Sequence, residues 1–109
     1  MVSGAAPATI LIVEDHDDSG DALGLIITAL GYRAILARNG IEALGLLEKA
    51  RPALILCDVR MPGMDGVAFA QAVRAQPRWR TVKLVAVTGL TGEPDAVRLR
   101  KAGFDAHLV

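Results

Sequence analysis

Aromatic side chains are scarce in this chain, at 4% of 109 residues against 52% hydrophobic residues overall. A core cannot then rest on stacked rings and must be filled by Val, Ile, Leu and Ala, the usual packing of a parallel sheet under helices. Cysteine occurs once, as Cys57 inside an apolar run, where it reads as a small buried hydrophobe and gives no reason to invoke an oxidising compartment. Net charge is absent, with twelve basic and twelve acidic residues, which argues against a nucleic-acid-binding face. No apolar run approaches the ~20 residues of a membrane span. The opening Met1 to Ala8 carries no basic segment of the kind that begins a secretion signal. A cytoplasmic protein is expected, with residues 1–8 a flexible segment ahead of one domain over 9–109, a length that can bury a core without disulfides or a metal staple.

What is present is an alternation. Ile10-Leu-Ile-Val13, Ala34-Ile-Leu-Ala37, Leu54-Ile-Leu-Cys57 and Leu84-Val-Ala-Val87 are short apolar runs bounded by polar residues, too short for helices. A fifth run begins at Ala106 and reaches Val109. Helical patterns fall between them. Leu23, Ile26, Ile27 and Leu30 share one helical face, opened by capping residues at Asp17 to Ser19 and closed by Gly31. Asn39 with Glu42 has the spacing of a capping box, with Ile41, Leu44 and Leu47 directed inward up to Pro52. A third helix is predicted from about Asp65 to Gln76 with Phe69, Ala72 and Val73 inward, and a fourth from Pro94 to Gly103 with Val97 inward. Strands alternating with helices imply right-handed βαβ units and a parallel α/β sheet covered on both faces.

In such a sheet the C-terminal ends of all strands lie on one edge, and that edge is where these strands turn polar. The first ends in Glu14-Asp15, the third in Asp58, the fourth in Thr88-Gly89. Two carboxylates about 4 Å apart repel by about 4 kcal/mol at an effective dielectric near 20, so three together call for a cation. Oxygen donors with room for water favour Mg²⁺ over Ca²⁺ or Zn²⁺. His16 beside the cluster is either a recruiter of a softer metal or a solvent-exposed loop residue. Trp79 reads as cover for the core edge, Met61 and Met64 as loop and core packing, and Arg98, Arg100 and Lys101 as a solvated helix face.

Ile-Leu-Ile-Val-Glu-Asp at the first strand, Asp58-x-x-Met-Pro-x-Met-Asp-Gly66 at the third, Thr88-Gly89 at the fourth and Ala102-Gly-Phe-Asp-Ala106 before the fifth resemble the receiver domain of two-component response regulators. The resemblance covers Thr9 to Val109 and implies a flavodoxin-like, doubly wound five-stranded sheet in the order 2-1-3-4-5. It makes Asp58 the phosphoacceptor, taking a phosphoryl group from a histidine kinase or histidine phosphotransfer protein. Asp15, Glu14, Asp58 and the backbone carbonyl of Arg60 would hold Mg²⁺. Thr88 would hydrogen-bond the phosphoryl group, Gly89 would contribute a backbone contact, and His107 stands where the family has its switch residue, commonly Tyr or Phe. Such a domain is not an enzyme beyond its own phosphorylation and dephosphorylation. A homodimer stays open as an assembly.

The family pattern continues past the fifth strand with a lysine, a proline and a last helix, whereas this sequence stops at Val109. Neither Lys83 nor Lys101 occupies the lysine's position. The resemblance thus implies a C-terminally truncated receiver over 9–109, the final helix absent from this chain. Its closing Gly103 to Val109 is most like receivers attached to hybrid sensor kinases, with a stand-alone regulator left open as the alternative. Rival classes fare worse. A phosphatase or hydrolase with an aspartyl nucleophile usually has a second acid two residues on, where this chain has Arg60. A nucleotide or flavin binder needs a glycine-rich phosphate loop after the first strand, and Glu14 to Asp18 is its electrostatic opposite. A degenerate receiver serving only as an interaction module is the remaining alternative, and a purely structural α/β module explains neither the acids nor the threonine.

Overall fold

The computed structural model describes residues 7–60, 64–88 and 93–108. Five parallel strands, β1 (Thr9–Val13), β2 (Arg33–Ala37), β3 (Leu54–Asp58), β4 (Lys83–Val87) and β5 (Ala106–Leu108), form one sheet in the order β2-β1-β3-β4-β5. Between them run α1 (Asp17–Ala29), α2 (Gly40–Ala50), α3 (Gly66–Ala75) and α4 (Glu93–Ala102), with a short 3₁₀ turn at Pro77–Trp79. This is the flavodoxin-like order, with the change of winding direction between β1 and β3. Met1 to Ala6 of the expected flexible segment lie outside the described residues, as do Met61, Gly89 and Val109.

Every residue of β1 is buried because the strand lies inside the sheet and is covered on both faces. The larger core lies on one face, where Leu11, Val13, Ile55, Cys57, Leu84 and Ala86 of the strands meet Leu47, Phe69, Val73 and Leu99 of α2, α3 and α4. Ile10, Ile12 and Leu56 point to the opposite face and meet Ile27 of α1. The alternation follows from the two-residue period of a strand. Side chains such as Leu47 and Phe69, wholly or almost wholly shielded, each contribute roughly 2 kcal/mol through burial.

The inward helical faces differ from those predicted. In α1, Ile27 is buried and Leu23 packs against the second core, but Ile26 and Leu30 are exposed and Gly20 is buried instead. In α2, Ile41 is exposed while Gly40, Ala43 and Leu47 face in. In α3, Phe69 and Val73 are buried as predicted, joined by Ala70, while Ala72 is only half-buried. In α4, Val97 is exposed and Leu99 and Ala102 are buried. In α1 a small residue lies at the close approach of helix to sheet. A Cβ on Gly20 would come within 3.2 Å of a Leu36 methyl, so α1 rotates to put glycine against the sheet, which a hydrophobicity pattern cannot register.

The caps follow the sequence signals. Asn39 accepts from the Glu42 amide at 2.7 Å, and the Glu42 carboxylate returns to the amide of Arg38 rather than to that of Asn39. Asp65 caps α3 by accepting from the Ala68 amide at 2.8 Å, fixing where the loop after β3 re-enters helix. Trp79 is buried in the large core, as predicted, and its ring N–H donates to Glu48.

Candidate functional site

Register places the polar strand ends together. Val13 of β1 pairs with Cys57 of β3, so the next residues, Glu14 and Asp58, emerge side by side at the C-terminal edge. Asp58 pairs with Val87, and Thr88 follows one step beyond on β4. The backbone continues the ladder past the strands: the Glu14 amide donates to Ala37, the Val59 amide to Val87 and the Thr88 amide to Leu108. These bonds hold the acid-bearing ends to the sheet and limit their drift.

Glu14, Asp15, His16 and Asp58 each bring one ligand-capable atom to within 4.8 Å of the others. Glu14 is 9% exposed and Thr88 5%, both uncommon depths for polar side chains. Burial, followed by the neighbouring Asp58, raises the Glu14 carboxyl above its ordinary value. The Glu14 carboxylate accepts from the His16 amide at 3.2 Å, and the His16 ring nitrogen Nδ1 lies 3.3 Å from the same oxygen and 3.2 Å from Oδ1 of Asp15. Those carboxylates raise the imidazole's affinity for a proton. Asp58 accepts from the Arg60 amide at 3.0 Å, which orients the carboxylate at the strand end.

Among the described residues, Oδ1 of Asp15 is shielded from solvent with no hydrogen-bond partner, its 3.2 Å contact with the His16 ring being an ion pair only when that ring is protonated. A buried carboxylate oxygen in that state is costly. An orphaned oxygen beside two further carboxylates fits a hard divalent cation, the chemistry of which satisfies all of them at once. The donor set Glu14, Asp15 and Asp58 therefore suits the ion expected from the sequence.

The response regulator receiver domain is the family whose pattern matches residues 10–109. The chain belongs to that family. It is 33% identical over 102 residues to the polar-differentiation response regulator DivK of Brucella anthropi, covering 94% of this chain and 83% of that protein. Among solved structures it is similar to the chemotaxis protein CheY4 of Vibrio cholerae, with a TM-score of 0.91, 31% identity, and coverage of 95% of this chain and 87% of the other. It is also similar to the receiver domain of the sensor histidine kinase PA1611 from Pseudomonas aeruginosa, in which a magnesium ion is coordinated in the active site cleft (TM-score 0.86, 33% identity, 95% and 85% coverage). This receiver domain is a signalling module of two-component systems, in agreement with its fold and with the order of its motifs.

Among the predicted site residues, Glu14, Asp15 and Asp58 converge in the receiver's acidic cluster, and Thr88 is buried at the neighbouring strand end. Arg60 meets the site through its backbone N–H, which donates to Asp58, rather than through the predicted carbonyl. His107 is exposed on the edge strand β5, paired with Ala86, two residues before Thr88 on β4. The sequence marks Gly66 as the end of the Asp58 motif, but not why a glycine is needed there. A Cβ there would meet the Val59 Cα at 2.6 Å and the Asp58 carbonyl oxygen at 2.9 Å, so the loop after Asp58 closes only around a residue without a side chain. The signal was available in the Gly after Asp65, though it reads equally well as an ordinary helix start. Cys57 is buried next to Asp58, and burial pushes its thiol far up, so it is an inert core group. Among the described residues no helix is long and apolar enough to cross a membrane.

Proposed function

We propose that this receiver accepts a phosphoryl group on Asp58 from a phosphohistidine of a histidine kinase or histidine phosphotransfer protein. An Asp58 carboxylate oxygen attacks phosphorus; the O–P bond forms as the N–P bond to histidine breaks, and the imidazole leaves with the electron pair. The observation that carries the reading is the convergence of Asp58 with Glu14 and Asp15 within 4.8 Å, at the sheet edge where the partner's histidine can reach. Glu14, Asp15, Asp58 and the Arg60 carbonyl would hold Mg²⁺, which when bound offsets the charge of the carboxylates and of the incoming phosphoryl group.

The chain's own residues have distinct tasks in this reading. The Arg60 amide orients Asp58. The Thr88 hydroxyl meets a phosphoryl oxygen, with a Gly89 amide contact, and the pull on Thr88 is passed along β4 to β5, where His107 is the switch residue. The domain comprises residues 9–109, works in the cytoplasm and needs no nucleic acid, and it modifies only itself. A hydrolase using Asp58 as nucleophile is disfavoured because Arg60 occupies the place of the second acid.

The test uses the protein with Mg²⁺ and a small phosphoramidate donor, followed by mass spectrometry. One phosphoryl group on Asp58, absent from Asp58→Asn and lost on removing Mg²⁺, supports the reading. Incorporation at another residue, or continuous turnover of the donor, overturns it.

A further inference from the structure

The sheet ends on β2, and the outer side of that strand is unguarded. Natural sheets blunt an edge with proline, lysine, a bulge or a very short strand. At the opposite edge β5 is only three residues long, but β2 runs Arg33-Ala-Ile-Leu-Ala37 in unbroken register with β1. The Arg33 amide donates to Ala8 and the Ala37 carbonyl accepts from the Glu14 amide, so the odd-numbered residues face β1. Backbone groups alternate in direction along a strand. Ala34 and Leu36 therefore turn their N–H and C=O outward, where no strand lies among the described residues. Beside them on α1, Leu25 is 73% exposed at the rim of a groove lined by Gly24, Thr28, Ala34 and Leu36.

We propose that this edge pairs with the same edge of a second copy of the chain, antiparallel about a two-fold axis through Ile35. That register sets Ala34 of one copy opposite Leu36 of the other, the residues whose amides and carbonyls point outward. The pair exchanges both its hydrogen bonds, and the symmetry repeats it. A large Leu36 then meets a small Ala34 on the face that carries α1. Strands stand about 4.8 Å apart and α1 lies over the β2 edge, with Gly20 and Gly24 facing Leu36. The two α1 helices thus approach to about 10 Å, a packing distance, with Leu25 between them. Charge favours a second copy as the occupant. Arg33 is exposed at one end of β2 and makes no ion pair among the described residues. Glu42 is exposed at the other end, its carboxylate 3.3 Å from the Arg38 amide. The axis brings each Arg33 opposite Ala37 of the second copy and within reach of that copy's Glu42, both on the face that carries α2. The two acidic clusters end on opposite edges of the joined sheet, and both stay open.

The experiment uses the full chain, unphosphorylated, in sedimentation over a dilution series, where a concentration-dependent dimer is expected. Leu25→Lys changes an exposed side chain and should raise the dissociation constant at least about tenfold. Arg33→Glu should weaken the dimer comparably, and Arg33→Glu combined with Glu42→Arg should restore it, a recovery that follows only where the two charges meet across the axis. Ile35→Cys under mild oxidation should give a disulfide-linked dimer, since residues opposed in this way stand about 4.5 Å apart at Cα. The native Cys57 is buried and takes no part. A chain that stays monomeric up to about 1 mM overturns the proposal. A dimer that keeps its affinity in Leu25→Lys, that the charge exchange fails to restore, or that Ile35→Cys does not link lies on another surface and overturns it as well.

Discussion

Gly66 sits directly on the backbone of Val59, donating its amide to the Val59 carbonyl at 3.0 Å while its Cα faces a space in which a Cβ would stand 2.6 Å from the Val59 Cα. That contact closes the loop after Asp58 against the strand that carries it. A methyl group there meets backbone on two sides, so the loop has to move rather than a side chain. Gly66→Ala is expected to lower the unfolding free energy by about 2 kcal/mol, as overpacking of a tight site does. It should also reduce phosphoryl uptake by displacing Asp58. Urea denaturation and a phosphorylation time course check the two effects, and an unchanged value in both would show that the loop tolerates a side chain.

Glu14 is buried against Asp58, and burial followed by that neighbour raises its carboxyl above the ordinary range. A group whose folded-state value is raised binds more protons folded than unfolded. Its destabilising contribution is therefore absent below the unfolded value and grows as pH rises through the raised one. Glu14→Gln removes the charge while keeping the shape. Without divalent ions, the variant is expected to be more stable than the wild type by about 1 kcal/mol at neutral pH, with the difference vanishing in acid. Added Mg²⁺ should stabilise the wild type more than the variant. Thermal unfolding across pH, with and without Mg²⁺, tests all three statements, and a less stable Glu14→Gln at neutral pH would contradict them.

At the opposite end of the sheet, Arg74 at the close of α3 acts as a staple. Its guanidinium donates to the carbonyls of Gly103, Trp79, Arg80 and Val82, and pairs with Asp105 at 3.0 Å. Asp105 in turn accepts from the Leu84 amide. The planar fork of N–H donors serves two separate chain segments, 79–82 and 103–105, which a lysine ammonium cannot do. Arg74→Met is expected to cost about 2 kcal/mol by leaving several carbonyls without donors, and Arg74→Lys should recover less than half of that. Neither should abolish phosphorylation in the folded protein, since the staple is remote from Asp58. Chemical denaturation together with the phosphorylation assay separates the stability effect from the activity.

The strands were legible because buried parallel strands leave unbroken apolar runs, and the acids because they interrupt those runs at their ends; the order of the strands came from the resemblance to receiver domains. Ile10 to Val13 followed by Glu14 and Asp15 carries both messages in six residues. The helical faces were less legible. Ile26, Leu30, Ile41 and Val97 are apolar but exposed, whereas Gly20, Gly40 and Ala43 are small and buried. Hydrophobic periodicity weights a large side chain over a close backbone approach, and here close approach decides which face turns inward. Arg74 and Asp105 were invisible for another reason. Their partnership joins side chains of residues 31 apart, and nothing in the spacing of charges marks it.

The last prediction concerns how a charge on Asp58 would reach the edge strand. Thr88 is buried one residue past the β4 partner of Asp58, and its amide donates to Leu108 of β5 at 2.9 Å. Any shift of Thr88 toward a phosphoryl group therefore pulls on β5 through that bond. Thr88→Val keeps the branched shape and removes the hydroxyl, while Thr88→Ser keeps the hydroxyl and removes a methyl. The hydroxyl, not the volume, is expected to carry the response: phosphorylated Thr88→Ser should still shift the backbone amide resonances of Ala106 to Leu108, and phosphorylated Thr88→Val should not. Both variants should still take up phosphate on Asp58, and the buried hydroxyl's loss should alter stability by no more than about 1 kcal/mol. Equal shifts in the two variants, read by ¹H–¹⁵N spectra before and after phosphorylation, would place the route to β5 outside Thr88.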